Sequence, residues 1–193
     1  MKAEQQMENN EEIKIEQSSE KKRKVKKLPV AISYEEFLTL LEYTKKDHHK
    51  LAFLLGFEAG LRISEVLKLE KRHIDLKEKK ILIEQGKGGK DRIVSLPKHF
   101  REKYLNLLPI KLKCGERALE KAFKRSCEKA GLLKIKPTLH FHSLRHGFAS
   151  HAVKKGVPIH YVRTLMGHSN ISTTNIYLEM NPTAALKSVE ELF

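Results

Sequence analysis

The sequence predicts a mainly α-helical domain with one small three-stranded antiparallel sheet. Three observations predict it. Apolar residues recur at three- and four-residue spacing through most of the stretch from 34 to 192. That spacing gives way once, to alternation at Ile81, Ile83 and then Ile93, Ser95, on either side of Gln85-Gly86-Lys87-Gly88-Gly89-Lys90. Glycine and proline punctuate the remainder at helix-length intervals.

Residues 1–30 read as a charged, disordered tail. Eight basic and six acidic side chains surround a few apolar residues without periodicity, and Lys21, Lys22, Arg23, Lys24, Lys26 and Lys27 form a like-charge block. The same block suits an arm that grips phosphates nonspecifically. The domain then runs over 31–193. Ser33 and Glu36 match a capping box ahead of Phe37, Leu40 and Leu41, which predicts a helix over about 34–46. A second helix over 48–58 carries Leu51, Phe53, Leu54, Leu55 and Phe57, and Gly60 ends it as a left-handed cap. A short helix follows over 63–70. A strand near 73–76 and the hairpin strands about the glycine-rich turn complete the sheet.

The rest is helical. Pro97 suits the first position of a helix over 97–107. Residues 115–130 set apolar Leu119, Ala122, Phe123 and Cys127 against basic Lys121, Lys124, Arg125 and Lys129, and Gly131 stops that helix. Further helices are predicted over 143–155, 158–166, 171–179 and 183–192, punctuated by Gly156-Val157-Pro158 and by Gly167.

Charge narrows the function. The chain has 193 residues, 38 basic and 24 acidic side chains, and a net charge of +14. The tail accounts for only +2, so the folded body is itself basic. A polyanion is the expected partner, with DNA or RNA ahead of an anionic membrane surface. No run approaches the ~18 apolar residues of a membrane-spanning helix, and no signal peptide opens the chain. Cys114 and Cys127 alone make neither a disulfide framework nor a zinc cage, which fits a reducing cytoplasm.

Four clusters carry chemistry: Gly60-Leu61-Arg62-Ile63-Ser64-Glu65, Gly86-Lys87-Gly88-Gly89-Lys90, His142-Ser143-Leu144-Arg145-His146, and Gly167-His168-Ser169 with Tyr177 nine residues after His168. Each alone is ordinary. Together they match the needs of phosphodiester transfer. Two arginines can clamp the non-bridging oxygens with planar forks that never deprotonate. A lysine or histidine can protonate the leaving alkoxide. A tyrosine, with a reference pKa of about 10, can attack phosphorus and hold the bond as a covalent intermediate.

In this order the clusters resemble the catalytic domain of the tyrosine recombinases, the lambda-integrase and Xer-like family, over about 33–182. The resemblance implies that fold, and these roles. Arg62 and Arg145 clamp the scissile phosphate. Lys87 is the general acid for the departing 5′ oxygen, with Lys90 its rival on the same hairpin. His142 is the acid/base residue and His168 a second hydrogen-bonding histidine. Tyr177 is the nucleophile that forms a 3′-phosphotyrosyl link. Glu65 orients Arg62, and His146 supports the fold. The implied activity is site-specific recombination of double-stranded DNA (integration, excision or dimer resolution) by a tetramer, without metal or nucleotide cofactor. The usual N-terminal core-binding domain is expected to be absent, from a naturally short recombinase or from a piece of a longer one.

Other readings use the same residues. A type IB topoisomerase shares the chemistry, and a non-catalytic DNA-binding accessory factor shares the charge. Six of the ten histidines lie within 140–168, and His142 with His146 has the spacing of a helical zinc pair. No Glu separates them, and Arg145 would set a cation beside the metal. The basic face of 115–130 is either solvated or laid in a DNA groove. The stripe Ala184, Ala185, Leu186, Val189, Leu192 and Phe193 packs either on its own body or on a neighbouring subunit.

Overall fold

The computed structural model describes residues 29–84 and 91–167. The described helices are α1 (Tyr34–Glu42), α2 (Asp47–Glu58), α3 (Ile63–Lys68), α4 (Glu116–Lys129), α5 (Leu132–Ile135), α6 (His142–Lys154) and α7 (Ile159–Met166). Strands β1 (Ile74–Asp75), β2 (Lys80–Ile83) and β3 (Arg92–Ser95) form one antiparallel sheet in the order β1-β2-β3. Its register pairs Ile74 with Ile81, Ile81 with Val94, and Leu82 with Ile93. The charged tail up to residue 28 and the helices expected over 171–179 and 183–192 lie outside the described residues.

The capping box forms as read: Ser33 Oγ accepts the Glu36 N–H at 3.2 Å, and the Glu36 carboxylate accepts the Ser33 N–H at 2.7 Å. Helix α1 ends at Glu42, four residues early. The cause is Thr44, which is buried and turns its hydroxyl back onto the Leu40 carbonyl at 2.7 Å while meeting Ser126 Oγ at 3.2 Å. Helix α2 is the central pillar, with every residue from Leu51 to Phe57 buried. A helix apolar on all sides must be surrounded. Phe53 meets Phe123 of α4 edge-on at 5.5 Å and Phe141 at 6.1 Å, and Phe57 stacks on Phe37 of α1 at 4.2 Å. Each such ring contributes about 1.5–3 kcal/mol by leaving water.

Residues 97–107 do not form the expected α-helix. Residues 97–100 turn instead, with the Phe100 N–H on the Pro97 carbonyl at 3.0 Å and the His99 N–H on the Glu58 carboxylate at 3.1 Å. Arg101 is extended, and Glu102–Leu107 wind as a 3₁₀ helix. Tyr104 is buried from this helix, and Leu108 and Ile110 are buried just beyond it, after the chain turns extended at Leu108. Pro97 suits the start of a helix but does not fix how the residues after it wind.

Candidate active site

Helix α6 supplies two of the predicted residues, His142 in its first turn and Arg145 one turn on. Arg145 is 1% exposed, the largest fully buried side chain described. Its guanidinium donates to the carbonyls of Gly60 and Met166. Burying a charge is costly unless it is hydrogen-bonded, and these carbonyls meet that requirement.

Arg62 comes from the turn between α2 and α3. That turn needs glycine at position 60, where φ is +65° and a Cβ would lie 2.6 Å from the Phe148 ring. The Leu61 N–H returns to the Leu55 carbonyl at 3.1 Å, which aims Arg62 away from the core. Arg62 caps α3. Its N–H and Nη1 donate to the two oxygens of Glu65 at 2.8 and 2.9 Å, as expected of a carboxylate that orients it. Its Nη2 donates to the Gly167 carbonyl at 3.3 Å.

One member of the site escaped the sequence reading. Arg92, first residue of β3, donates from Nη1 and Nη2 to the two Glu65 oxygens at 2.9 and 2.8 Å, and from Nε to the Leu165 carbonyl at 2.8 Å. The signal was available. Arg92 shares a strand face with Val94, which is buried, and a charge on a buried face demands a partner. Burial pushes the Glu65 carboxyl up, but the Arg92 hydrogen bonds, the Arg62 N–H and both guanidinium charges overcome it, and the carboxyl is held down at about 2.

Three successive carbonyls at the end of α7 are thus each held by a different arginine: Leu165 by Arg92, Met166 by Arg145 and Gly167 by Arg62. The end of a helix leaves such carbonyls unpaired and carries partial negative charge, so guanidinium groups belong there. Gly167 closes α7 with φ +60°, its Cβ position 3.3 Å from the Arg92 side chain.

His142 lies within the field of both predicted clamp arginines. Burial, then the charges of Arg145, His140 and Arg62, push its imidazole down to about 4 against the pull of Glu65. His146 is pushed to about 4 by burial and by its neighbours His142, His140 and Arg145. Both rings are therefore neutral at pH 7. Their centroids are 5.4 Å apart, and the His142 ring stacks on His140 at 6.4 Å. A neutral imidazole between two guanidiniums can take a proton from an acid that approaches an anion held there. The structure brings Arg62, His142 and Arg145 together. Lys87, its rival Lys90, His168 and Tyr177 lie outside the described residues. In sequence, β3 follows the lysine-bearing segment, and Gly167 immediately precedes His168.

A groove of about 640 Å³ opens beside Arg62 and is of mixed charge, lined by Lys68, Arg72 and Lys111 and by the carboxylates of Glu65, Glu70 and Glu84. The predicted basic face of α4 is exposed at Lys121, Lys124, Arg125 and Lys129, while Leu119, Phe123 and Cys127 are buried. For metal, Arg145 sets its charge against both His142 and His146, as the sequence foresaw. Elsewhere among the described residues His48, His49 and Cys114 bring their ligand atoms within 4.8 Å of one another. Lys46, Lys113, Lys121 and Arg125 line the same pocket, and four positive charges oppose a metal cation there.

The sequence profile of the phage integrase family matches residues 31–183. The chain is 34% identical over 183 residues to tyrosine recombinase XerA of Thermococcus kodakarensis, covering 85% of this chain and 63% of that protein. It therefore spans less than two thirds of the length of this relative. Among solved structures it is similar to XerA recombinase, with 26% identity and a TM-score of 0.66 over 89% of this chain and 66% of the other. It is also similar to XerH site-specific recombinase in a pre-cleavage complex with difH substrate, with 26% identity and a TM-score of 0.66 over 81% and 52%.

Proposed function

Because this chain belongs to the phage integrase family, we propose that it cuts and rejoins double-stranded DNA at specific sites through a 3′-phosphotyrosyl intermediate. The observation that carries this reading is the convergence of Arg62 and Arg145, from two separate parts of the chain, on the end of α7, with His142 in the field of both. Two permanent cations beside a neutral imidazole suit a phosphodiester whose negative charge grows in the transition state.

In the proposed cycle the scissile phosphate docks between Arg62 and Arg145. The Tyr177 oxygen attacks phosphorus and loses its proton, with His142 the acceptor. The P–O5′ bond breaks as the Tyr177–phosphorus bond forms, and Lys87 gives its proton to the departing 5′ oxygen. His168 donates a hydrogen bond to a non-bridging oxygen. A 5′ hydroxyl from the partner strand then reverses the step. The bond energy stays in the phosphotyrosine, so rejoining needs no nucleotide cofactor. The roles of Lys87, His168 and Tyr177 rest on the sequence pattern alone.

Duplex DNA is the proposed partner, with four protomers joining two duplexes. The net charge of +14, the exposed lysines of α4 and the XerH complex with its difH substrate support DNA. No helix among the described residues is long and apolar enough to cross a membrane, and the proposed compartment is the cytoplasm.

The test uses nicked suicide duplexes, randomised in the bases flanking the nick. A covalent protein–DNA band is expected from the parent chain and not from Tyr177→Phe. An adduct that persists in Tyr177→Phe overturns the choice of nucleophile. Binding without any adduct across the whole pool overturns the reading.

A further inference from the structure

We propose that Arg92 is a positioning residue of this site, locking β3, the Arg62 turn and the end of α7 into one unit through Glu65 and the Leu165 carbonyl. The inference rests on the strand-transfer reading and deepens it.

Three observations meet in this side chain. First, all three of its nitrogens are engaged, two on Glu65 and one on Leu165. A bidentate guanidinium–carboxylate pair fixes orientation as well as distance. Second, Glu65 passes that orientation on, since the same two oxygens also accept the N–H and Nη1 of Arg62. The carboxylate thus receives four donors and has little freedom to turn. Third, the Arg92 side chain lies against the Gly167 turn, the last described residue before His168. Side-chain exposures of 8% for Arg92 and 9% for Glu65 keep water from loosening the pair.

The consequence is mechanical. The proposed general acid Lys87 precedes β3 in sequence, Arg62 clamps phosphate, and His168 follows Gly167. These groups come from distant parts of the chain, and Arg92 is the side chain that touches the anchors of all three. Its fork is committed to the Glu65 carboxylate, which makes it a positioning side chain rather than one of the two phosphate clamps. Its effect should therefore fall on the rate of the bound complex rather than on DNA affinity.

Arg92→Met, Arg92→Lys and the parent are compared on a duplex selected from the randomised pool, in single turnover at saturating DNA, with affinity read separately by mobility shift. Arg92→Met should cleave about 100-fold more slowly, as expected when reacting groups shift by about an ångström. DNA affinity should stay at the parent value. Arg92→Lys keeps the charge but cannot form the fork, so an intermediate rate is expected. If Arg92→Met does not fold, Arg92→Lys decides alone. A folded variant that cleaves at the parent rate overturns the inference, as does a loss of rate matched by an equal loss of affinity. If the parent itself forms no Tyr177-dependent adduct, the strand-transfer reading has failed. A fast variant beside an active parent sinks only the role of Arg92.

Discussion

The carboxylate of Glu65 is shared between Arg92 and Arg62, its Oε1 and Oε2 lying 2.9 and 2.8 Å from the Arg92 fork. One buried acid thus sits between two permanent cations. A pH prediction follows directly. Burial alone would raise the Glu65 carboxyl, but the arginines hold it at about 2, below its ordinary value of 4.5. Folding therefore favours the ionised form. That stabilisation is fully present above about pH 4.5 and is lost as pH falls towards 2. Its size is about 3 kcal/mol. Denaturant melts of the parent between pH 5 and 2 should show the loss, and Glu65→Gln should lack that component while being less stable at pH 7. An unchanged slope in Glu65→Gln would mean that Glu65 does not titrate as described.

His142 and His146 give a second titration, in a different window. Both imidazoles are pushed from 6.5 to about 4, by burial first and neighbouring positive charge second. In the unfolded chain they take protons near pH 6.5. In the folded chain they do not until about 4. Their contribution to stability therefore declines as pH drops from 6.5 to 4 and is level below that, where the Glu65 loss continues. NMR of the imidazole Hε1 resonances should show both rings titrating near pH 4, and a midpoint near 6.5 for His142 would mean that burial and the two arginines do not act on its ring as described.

Two glycines separate backbone strain from steric conflict. Gly60 and Gly131 both have positive φ, +65° and +73°. A Cβ at Gly131 meets nothing within 4 Å, whereas one at Gly60 meets the Phe148 ring at 2.6 Å. Gly131→Ala should cost about 1 kcal/mol from the left-handed backbone alone. Gly60→Ala adds overpacking, typically about 1–3 kcal/mol more. It also moves the carbonyl that receives Arg145, so DNA cleavage should fall by more than stability loss explains. Equal melting curves for the two variants would contradict this.

Much of this arrangement was legible in the sequence, for physical reasons that differ by region. The α1 capping box and the Gly60 and Gly131 turns are local, and the chain writes local rules residue by residue. Arg62 with Glu65, three apart at a helix start, was also readable. The helix expected over 97–107 failed because its winding depends on distant partners: Glu58 captures the His99 backbone, 41 positions away. Arg92 was missed for the same cause. Its partners Glu65 and Leu165 lie 27 and 73 positions off, and only the strand's alternation hinted that its charge faced inward.

The basic face of α4 yields the last prediction. Leu119, Phe123 and Cys127 fix one side of the helix in the core, so Lys121, Lys124 and Arg125 must face outward. If DNA lies along this face, each of the three neutralises a phosphate and releases counterions. Affinity then falls with salt in proportion to the number of such contacts. Replacing all three by alanine should change stability by no more than about 0.5 kcal/mol per site. It should weaken DNA binding alike across sequences, and reduce the slope of log affinity against log salt by up to about 3. A base-reading role for any of them would appear instead as a change in which selected duplexes bind. An unaltered salt slope would place the duplex elsewhere on the molecule.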